Sequence, residues 1–135
     1  MKLGKIALAS LALVASLYAG DAQKQSLLAV DMRTMLSAMQ DVERAGFYSD
    51  VDGMKAGLNK LKGALRSLMT TDAKSYLPDD QAYADKFAHK RASMITMYAD
   101  DMIAALNAKN MDDALDDYTQ ILKQCNSCHI RIRAW

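Results

Sequence analysis

Residues 51–69 read VDGMKAGLNKLKGALRSLM, and this stretch decides the fold. Its apolar residues recur at alternating steps of three and four, which places them on one side of an α-helix. That spacing is the packing seam of left-handed helical bundles, so we predict an amphipathic helix with one face in the core. The predicted seam consists of Val51, Met54, Leu58, Leu61, Leu65 and Leu68.

An earlier amphipathic helix is predicted from about residue 23 to 45. Gly46 follows at a position where a left-handed residue often ends a helix, and Ser49 or Asp50 is suited to capping the next helix. The apolar stripe of this first helix consists of Leu28, Met32, Met35, Leu36, Met39 and Val42.

Two further helices are predicted after a connection at 70–78, which contains the only proline. The third runs from about 79 to 107, and the fourth begins near Asn110, whose side chain can cap it. Together the four helices predict an all-α, antiparallel four-helix bundle. The third helix is predicted to bury Tyr83, Phe87, Met94, Tyr98, Met102 and Leu106. The fourth is predicted to bury Met111, Leu115, Tyr118, Ile121 or Leu122, Cys125, Cys128 or His129, and Ile132.

The last predicted helix carries the pattern Cys-x-x-Cys-His, formed by Cys125, Cys128 and His129. On a helix these positions share one face, because they are three and four residues apart. The pattern is typical of covalent haem attachment through two thioethers, and the chain contains no other cysteine. We therefore predict one haem c, with Cys125 and Cys128 forming the thioethers and His129 binding the iron.

Two other chemistries use closely spaced cysteines. A thiol-disulfide redox centre is one alternative, but such centres usually open a helix in a βαβ context, which this sequence lacks. A structural zinc site is the other, but the only remaining histidine, His89, lies on a different predicted helix. We expect His89 to face solvent.

Residues 1–20 have the parts of a secretory signal peptide. Two lysines among the first five residues precede an uncharged, mostly apolar run at 6–17, and small residues follow. A membrane anchor is the alternative, but a span needs about 20 apolar residues, and polar residues follow this run too soon. We predict export to the periplasm, leaving residues 21–135 as one bundle domain.

Charge limits the classes of partner. The chain has 17 Lys plus Arg and 16 Asp plus Glu, and removing the two lysines of the signal peptide leaves 15 against 16. A near-neutral domain lacks the basic surface that binds nucleic acid, so we expect no nucleic-acid partner. Beyond the haem ligands the sequence offers no nucleophile or acid-base pair, so we expect no enzyme activity.

Residues 21–135 resemble cytochrome c′ and its six-coordinate relatives of the cytochrome c-556 type. The resemblance rests on the signal peptide, four amphipathic helices and the Cys-x-x-Cys-His motif near the end of the last helix. In that family a basic residue commonly stands four places after the histidine, which implies that Arg133 lies near the haem or its propionates. An ordinary surface charge beside Arg131 is the alternative for Arg133. The resemblance also implies a homodimer formed through the first two helices.

The family divides over the iron's second axial position. Cytochromes c′ leave it open behind an apolar side chain of the first helix, whereas the c-556 type fills it with a methionine from that helix. Met35 is our first choice of ligand, since it lies close to Arg33, which resembles an arginine near the ligand in this family. Met32 and Met39 share its stripe, and Leu36 would give the open arrangement.

These observations predict a periplasmic mono-haem cytochrome that carries single electrons, with His129 and Met35 on the iron. Its partners would be periplasmic or membrane-bound redox proteins. A cytochrome c′-like protein that binds nitric oxide or carbon monoxide at an open iron is the first alternative. A haem-free periplasmic dithiol or structural helical protein is the second.

Overall fold

The computed structural model of this chain describes residues 28–70 and 83–132, which form four α-helices. Helix α1 occupies residues 28–47, α2 Val51–Thr70, α3 Ala84–Asn107 and α4 Met111–Ile132. No strand occurs in this described part of the chain, so the predicted all-α class with four helices is confirmed. The predicted signal peptide at 1–20 and nearly all of the connection at 70–78 lie outside the described residues.

Three-residue turns join the helices into two antiparallel hairpins, α1 with α2 and α3 with α4. Both turns end their first helix with a left-handed residue, because Ser49 and Lys109 have φ of 56° and 58°. The amide of Asp50 then donates to the carbonyl of Ala45 at 2.9 Å, a Schellman hydrogen bond. Gly46 lies inside α1, so the prediction that it ends the helix is wrong. The chain reverses three residues later, at Ser49.

The residue after each left-handed position caps the following helix. Asp50 Oδ1 accepts a hydrogen bond from the amide of Gly53 at 2.9 Å. Asn110 Oδ1 accepts one from the amide of Asp113 at 3.2 Å. Each cap satisfies a backbone donor that the first helical turn leaves without an intrahelical partner. The predicted capping roles of Asp50 and Asn110 are confirmed.

The core of the first hairpin follows the predicted stripes closely. Val51 and the N-terminal residues Leu28 and Met32 are half-buried against this core. Leu36 is the exception, since its side chain is 61% exposed and its predicted place in the core is wrong. The buried members of the two stripes are Met35, Met39, Val42, Met54, Leu58, Leu61, Leu65 and Leu68.

The second hairpin buries smaller residues than predicted. Tyr83, Met111 and Leu115 are 79%, 47% and 61% exposed, so their predicted burial is wrong. Alanines take the core positions of α3, because their short side chains let the backbones of neighbouring helices approach. The buried residues of α3 are Ala84, Ala88, Ala92, Ile95, Ala99, Met102 and Leu106.

A glycine sets the approach of α2 to α1. A methyl group on Gly57 would lie 2.6 Å from Cγ2 of Val42 and 3.1 Å from the backbone oxygen of Ala38. Gly57 therefore allows the two helices to touch where a side chain would not fit. Gly63, one and a half turns later, faces open space, with no atom within 4 Å of such a methyl group.

Candidate functional site

The last two turns of α4 hold the Cys-x-x-Cys-His motif on one face. Cys125, Cys128 and His129 are all half-buried, and all three line the same cavity. The cap at Asn110 fixes the start of α4, and the buried Ile121 fixes its rotation, since Cys125 follows Ile121 by one turn. The structure thus brings together the three residues that the sequence singled out.

This space, the motif cavity, has a volume of about 240 Å³ and draws its walls from all four helices. Its lining is almost entirely apolar outside the motif itself. Leu36 and Leu122 reach the molecular surface, being 61% and 39% exposed, and they mark where the cavity opens. Its further lining residues are Met32, Met35, Met39, Leu65, Leu68, Arg91, Ala92, Ile95 and Asn126.

Three methionines of α1 line the motif cavity, as the sequence predicted for its candidate ligands. Met35 and Met39 are buried and Met32 is half-buried. Leu36, the apolar candidate, lines the cavity as well but projects largely into solvent. All four candidate side chains of α1 therefore lie on the cavity wall, and Met35 and Met39 are the best enclosed of them.

Burial makes both thiols weak acids. It raises the pKa of Cys125 from 9.0 to about 11, with the neighbouring Cys128 adding to the effect. Burial also raises the pKa of Cys128, although the guanidinium of Arg91 acts in the opposite direction. Their place near the C-terminal end of α4 adds no help, because a helix C-terminus disfavours negative charge. Both groups are therefore neutral thiols at physiological pH.

Arg91 lines the motif cavity and was not predicted from the sequence. Its Nη1 donates to Oε1 of the buried Gln124 at 2.6 Å, and its guanidinium lies 4.7 Å from the ring centre of Phe87. Its Nε is buried and has no hydrogen-bond acceptor among the described residues. A signal was present, because Arg91 falls at steps of three and four from the buried Ala88 and Ile95, on the core side of α3.

Two other predicted residues lie away from the motif cavity or outside the described residues. His89 is half-buried rather than solvent-facing, and its Nε2 lies 3.6 Å from Oδ1 of Asp85 one turn earlier. It is not part of the cavity lining. Arg133 lies outside the described residues, so its predicted place near the haem stays a prediction.

A second apolar space, the hairpin cavity, lies between α1 and α4 near the two turns. Its volume is about 320 Å³. Burial and the charge of Glu43 raise the pKa of Tyr118, which stands on its wall. The other lining residues are Val42, Gly46, Phe47, Met54, Met102, Met111, Ala114 and Leu115.

Comparisons with known proteins give no match from which a function could be inferred. No protein-family model, curated protein or solved structure matches it. Between 28 and 70 and between 83 and 132, no helix is both long and apolar enough to cross a membrane. In the same ranges no three His, Cys, Asp or Glu side chains gather as they would around a metal ion.

Proposed function

We propose that this chain is a periplasmic cytochrome with one covalent haem c, and that it carries single electrons. The observation that supports the proposal is the meeting of Cys125, Cys128 and His129 on the wall of one apolar cavity. Two bonds from the thiols would hold the haem edge, and the imidazole would bind iron from the same helix face. Both anchoring and ligation thus come from a single turn of α4.

The residues around the motif cavity suit a haem. The walls are apolar, and the two thiols and the imidazole on them are the donor set that a haem c uses. The volume of about 240 Å³ is below the roughly 300–1,000 Å³ of small-molecule sites. A haem would therefore fill the cavity and extend through its opening at Leu36 and Leu122. An exposed cofactor edge is what exchange of electrons with a partner protein requires.

The haem and the residues around it would have different roles in electron transfer. When bound, the haem supplies an iron that accepts and releases one electron. His129 would bind the iron from α4, and Met35 is our choice of second ligand, from α1; a thioether ligand would raise the reduction potential. The apolar walls exclude water and lower the local dielectric constant.

A dithiol redox function fits the thiols poorly. Reactive thiols have a lowered pKa, usually at a helix N-terminus or beside a cation. Here burial raises both pKa values, and the motif lies at the opposite end of its helix. Neutral buried thiols are weak nucleophiles, which argues against rapid disulfide exchange.

Gas binding at an open iron is the second candidate, favoured by the presence of Leu36 on the wall of the motif cavity. Met35 and Met39 are better enclosed, so we rank thioether ligation and electron transfer first. The two candidates differ in whether the iron's second axial position is free.

The deciding experiment is an optical spectrum of the protein expressed with its leader and the haem-attachment machinery. Ferric and ferrous spectra would be recorded before and after carbon monoxide is added. Met35→Ala is the test variant, and Met39→Ala is its matched control, since Met39 is equally buried in the same cavity. We expect a low-spin wild type that ignores carbon monoxide, a high-spin and reactive Met35→Ala, and an unchanged control.

The other outcomes are equally informative. A high-spin wild type that binds carbon monoxide would show that no methionine binds the iron. Gas binding would then be the preferred function. Reactivity in Met39→Ala alone would move the ligand to Met39. Protein without covalent haem would overturn both haem functions and leave the haem-free alternatives.

A further inference from the structure

A third space, the basic cavity, lies beside α4 and shares Arg91 and Asn126 with the wall of the motif cavity. It is an open hollow of about 570 Å³, within the roughly 300–1,000 Å³ range of small-molecule sites. None of the described residues that line it is acidic. The lining consists of Phe87, Arg91, Lys123, Asn126, Ser127, Ile130 and Arg131.

Two guanidinium groups of this cavity share one aromatic ring. Those of Arg91 and Arg131 lie 4.7 Å and 5.2 Å from the centre of the Phe87 ring. The attraction of each cation to the ring offsets part of their mutual repulsion and holds the planar groups in place. The shared ring thereby keeps the two positive groups no more than about 10 Å apart before any ligand arrives.

The cations of the basic cavity keep hydrogen-bonding capacity. Arg91 uses one nitrogen on Gln124, while its buried Nε has no acceptor among the described residues. Neither Arg131 nor Lys123 forms a salt bridge with any residue between 28 and 70 or 83 and 132. A favourable helix dipole explains one basic residue in the last turn of α4, but not a second guanidinium from α3 on the same ring.

We propose that the basic cavity binds a small molecule carrying a phosphate or carboxylate group. Arginine guanidinium groups bind such oxyanions through paired, charge-assisted hydrogen bonds. Lys123 adds a third positive charge, and Asn126 and Ser127 supply an amide and a hydroxyl group. A ligand there would lie behind the two residues that separate the motif cysteines. The binding itself is independent of the haem proposal.

The proposed site has a consequence where haem is attached as proposed above. A bound anion behind the Cys-x-x-Cys turn would favour the more positive ferric iron. By linkage, the ferric protein would bind the anion more tightly than the ferrous protein. The basic cavity would then tune the reduction potential.

Isothermal titration of the full chain, with and without attached haem, tests the proposal. The probes are inorganic phosphate and succinate, each compared with sodium chloride at matched ionic strength. One charge-assisted hydrogen bond contributes about 1.5–3 kcal/mol, so losing an arginine should weaken binding about tenfold or more. We expect that loss in Arg91→Gln and Arg131→Gln. Arg66→Gln, an exposed arginine of α2, should bind like wild type.

Folding of the variants is checked by circular dichroism. If Arg91→Gln does not fold, Arg131→Gln and Lys123→Gln decide the outcome, since both side chains are exposed on α4. The proposal is overturned if phosphate and succinate bind no better than chloride, or if Arg66→Gln weakens binding as much as Arg131→Gln. Binding of a glutamate-rich peptide without binding of either small anion would also overturn it, and would identify a protein-docking surface.

Discussion

The motif cavity and the hairpin cavity are similar in size and differ in chemistry. Both lie between α1 and α4, both receive side chains from all four helices, and their volumes are about 240 and 320 Å³. The motif cavity contains two thiols, an imidazole and a guanidinium. Among the described residues, the hairpin cavity has only the phenol of Tyr118 and the carboxylate of Glu43 as ionisable groups.

An apolar space between helices is therefore not sufficient to indicate a site. The described residues enclose two such spaces, and the chemistry of the two walls differs. Only one space carries groups that can hold a cofactor at its edge and at its metal. Substitutions in the two cavities should accordingly have separable effects, on haem in one case and on stability alone in the other.

Removing the thiols should have the largest effect. We expect Cys125→Ala combined with Cys128→Ala to abolish covalent haem attachment, because no other cysteine exists in the chain. Haem staining of a denaturing gel measures this directly. Met102→Ala, in the hairpin cavity, should retain full staining per folded molecule. Covalent haem in the double variant would contradict the proposed attachment site.

Enlarging the hairpin cavity should cost stability without changing the haem. Met102 is 3% exposed, and truncating a buried methionine to alanine costs about 2–5 kcal/mol. Urea unfolding followed by circular dichroism would measure this loss. The optical spectrum of the folded variant should match wild type. A change of iron spin state in Met102→Ala would show that the two cavities are not independent.

The sequence predicts the helices and the motif better than it predicts which large side chains are buried. The capping residues and the periodicity of the apolar residues predicted where both turns lie. The spacing of the motif predicted that its three residues share one helix face. The buried face of α3 is harder to predict from the sequence. Its core residues are mostly alanines, which are less apolar than the tyrosine and phenylalanine residues of the same helix. Arg91 escaped notice because its hydrogen-bond partner Gln124 lies 33 residues later on α4, and only the tertiary structure brings the two side chains together.

Rising pH should lower the free energy of unfolding first through the motif cavity and then through the hairpin cavity. The pKa of Cys125 rises from 9.0 to about 11 on folding, and the pKa of Tyr118 rises above 10.0. Both groups are neutral when protonated, so their stability contribution is complete below the unfolded pKa and is lost as pH rises through the folded pKa. We expect the reduced, haem-free chain to lose on the order of 2 kcal/mol between pH 9 and 11 through Cys125.

Two variants separate the contributions. Cys125→Ala should remove most of the loss that begins near pH 9 and leave the part due to Cys128, and Tyr118→Phe should remove the part that begins above pH 10. Covalent haem should abolish the thiol contribution, since thioethers do not titrate. Unfolding free energies that fall equally steeply in wild type and Cys125→Ala would contradict the burial of this thiol.

The smallest effects concern Gly57, which lies between the two cavities. Val42 belongs to the hairpin cavity and Ala38 precedes Met39 of the motif cavity, and Gly57 packs against both. Gly57→Ala would place a methyl group 2.6 Å from Val42 and 3.1 Å from the backbone of α1. Such overpacking costs about 1–3 kcal/mol. Because backbone cannot yield as a flexible side chain can, α1 must move away from α2.

Gly63→Ala is the matched substitution, because it makes the same change in the same helix where nothing lies within 4 Å. There the gain in helix propensity should stabilise the protein by up to about 1 kcal/mol. Opposite signs in urea unfolding would establish that Gly57 fixes the spacing of α1 and α2. A shift of α1 would also move Met35 relative to His129. The spectrum of Gly57→Ala should then change in the direction of Met35→Ala, while that of Gly63→Ala stays as wild type.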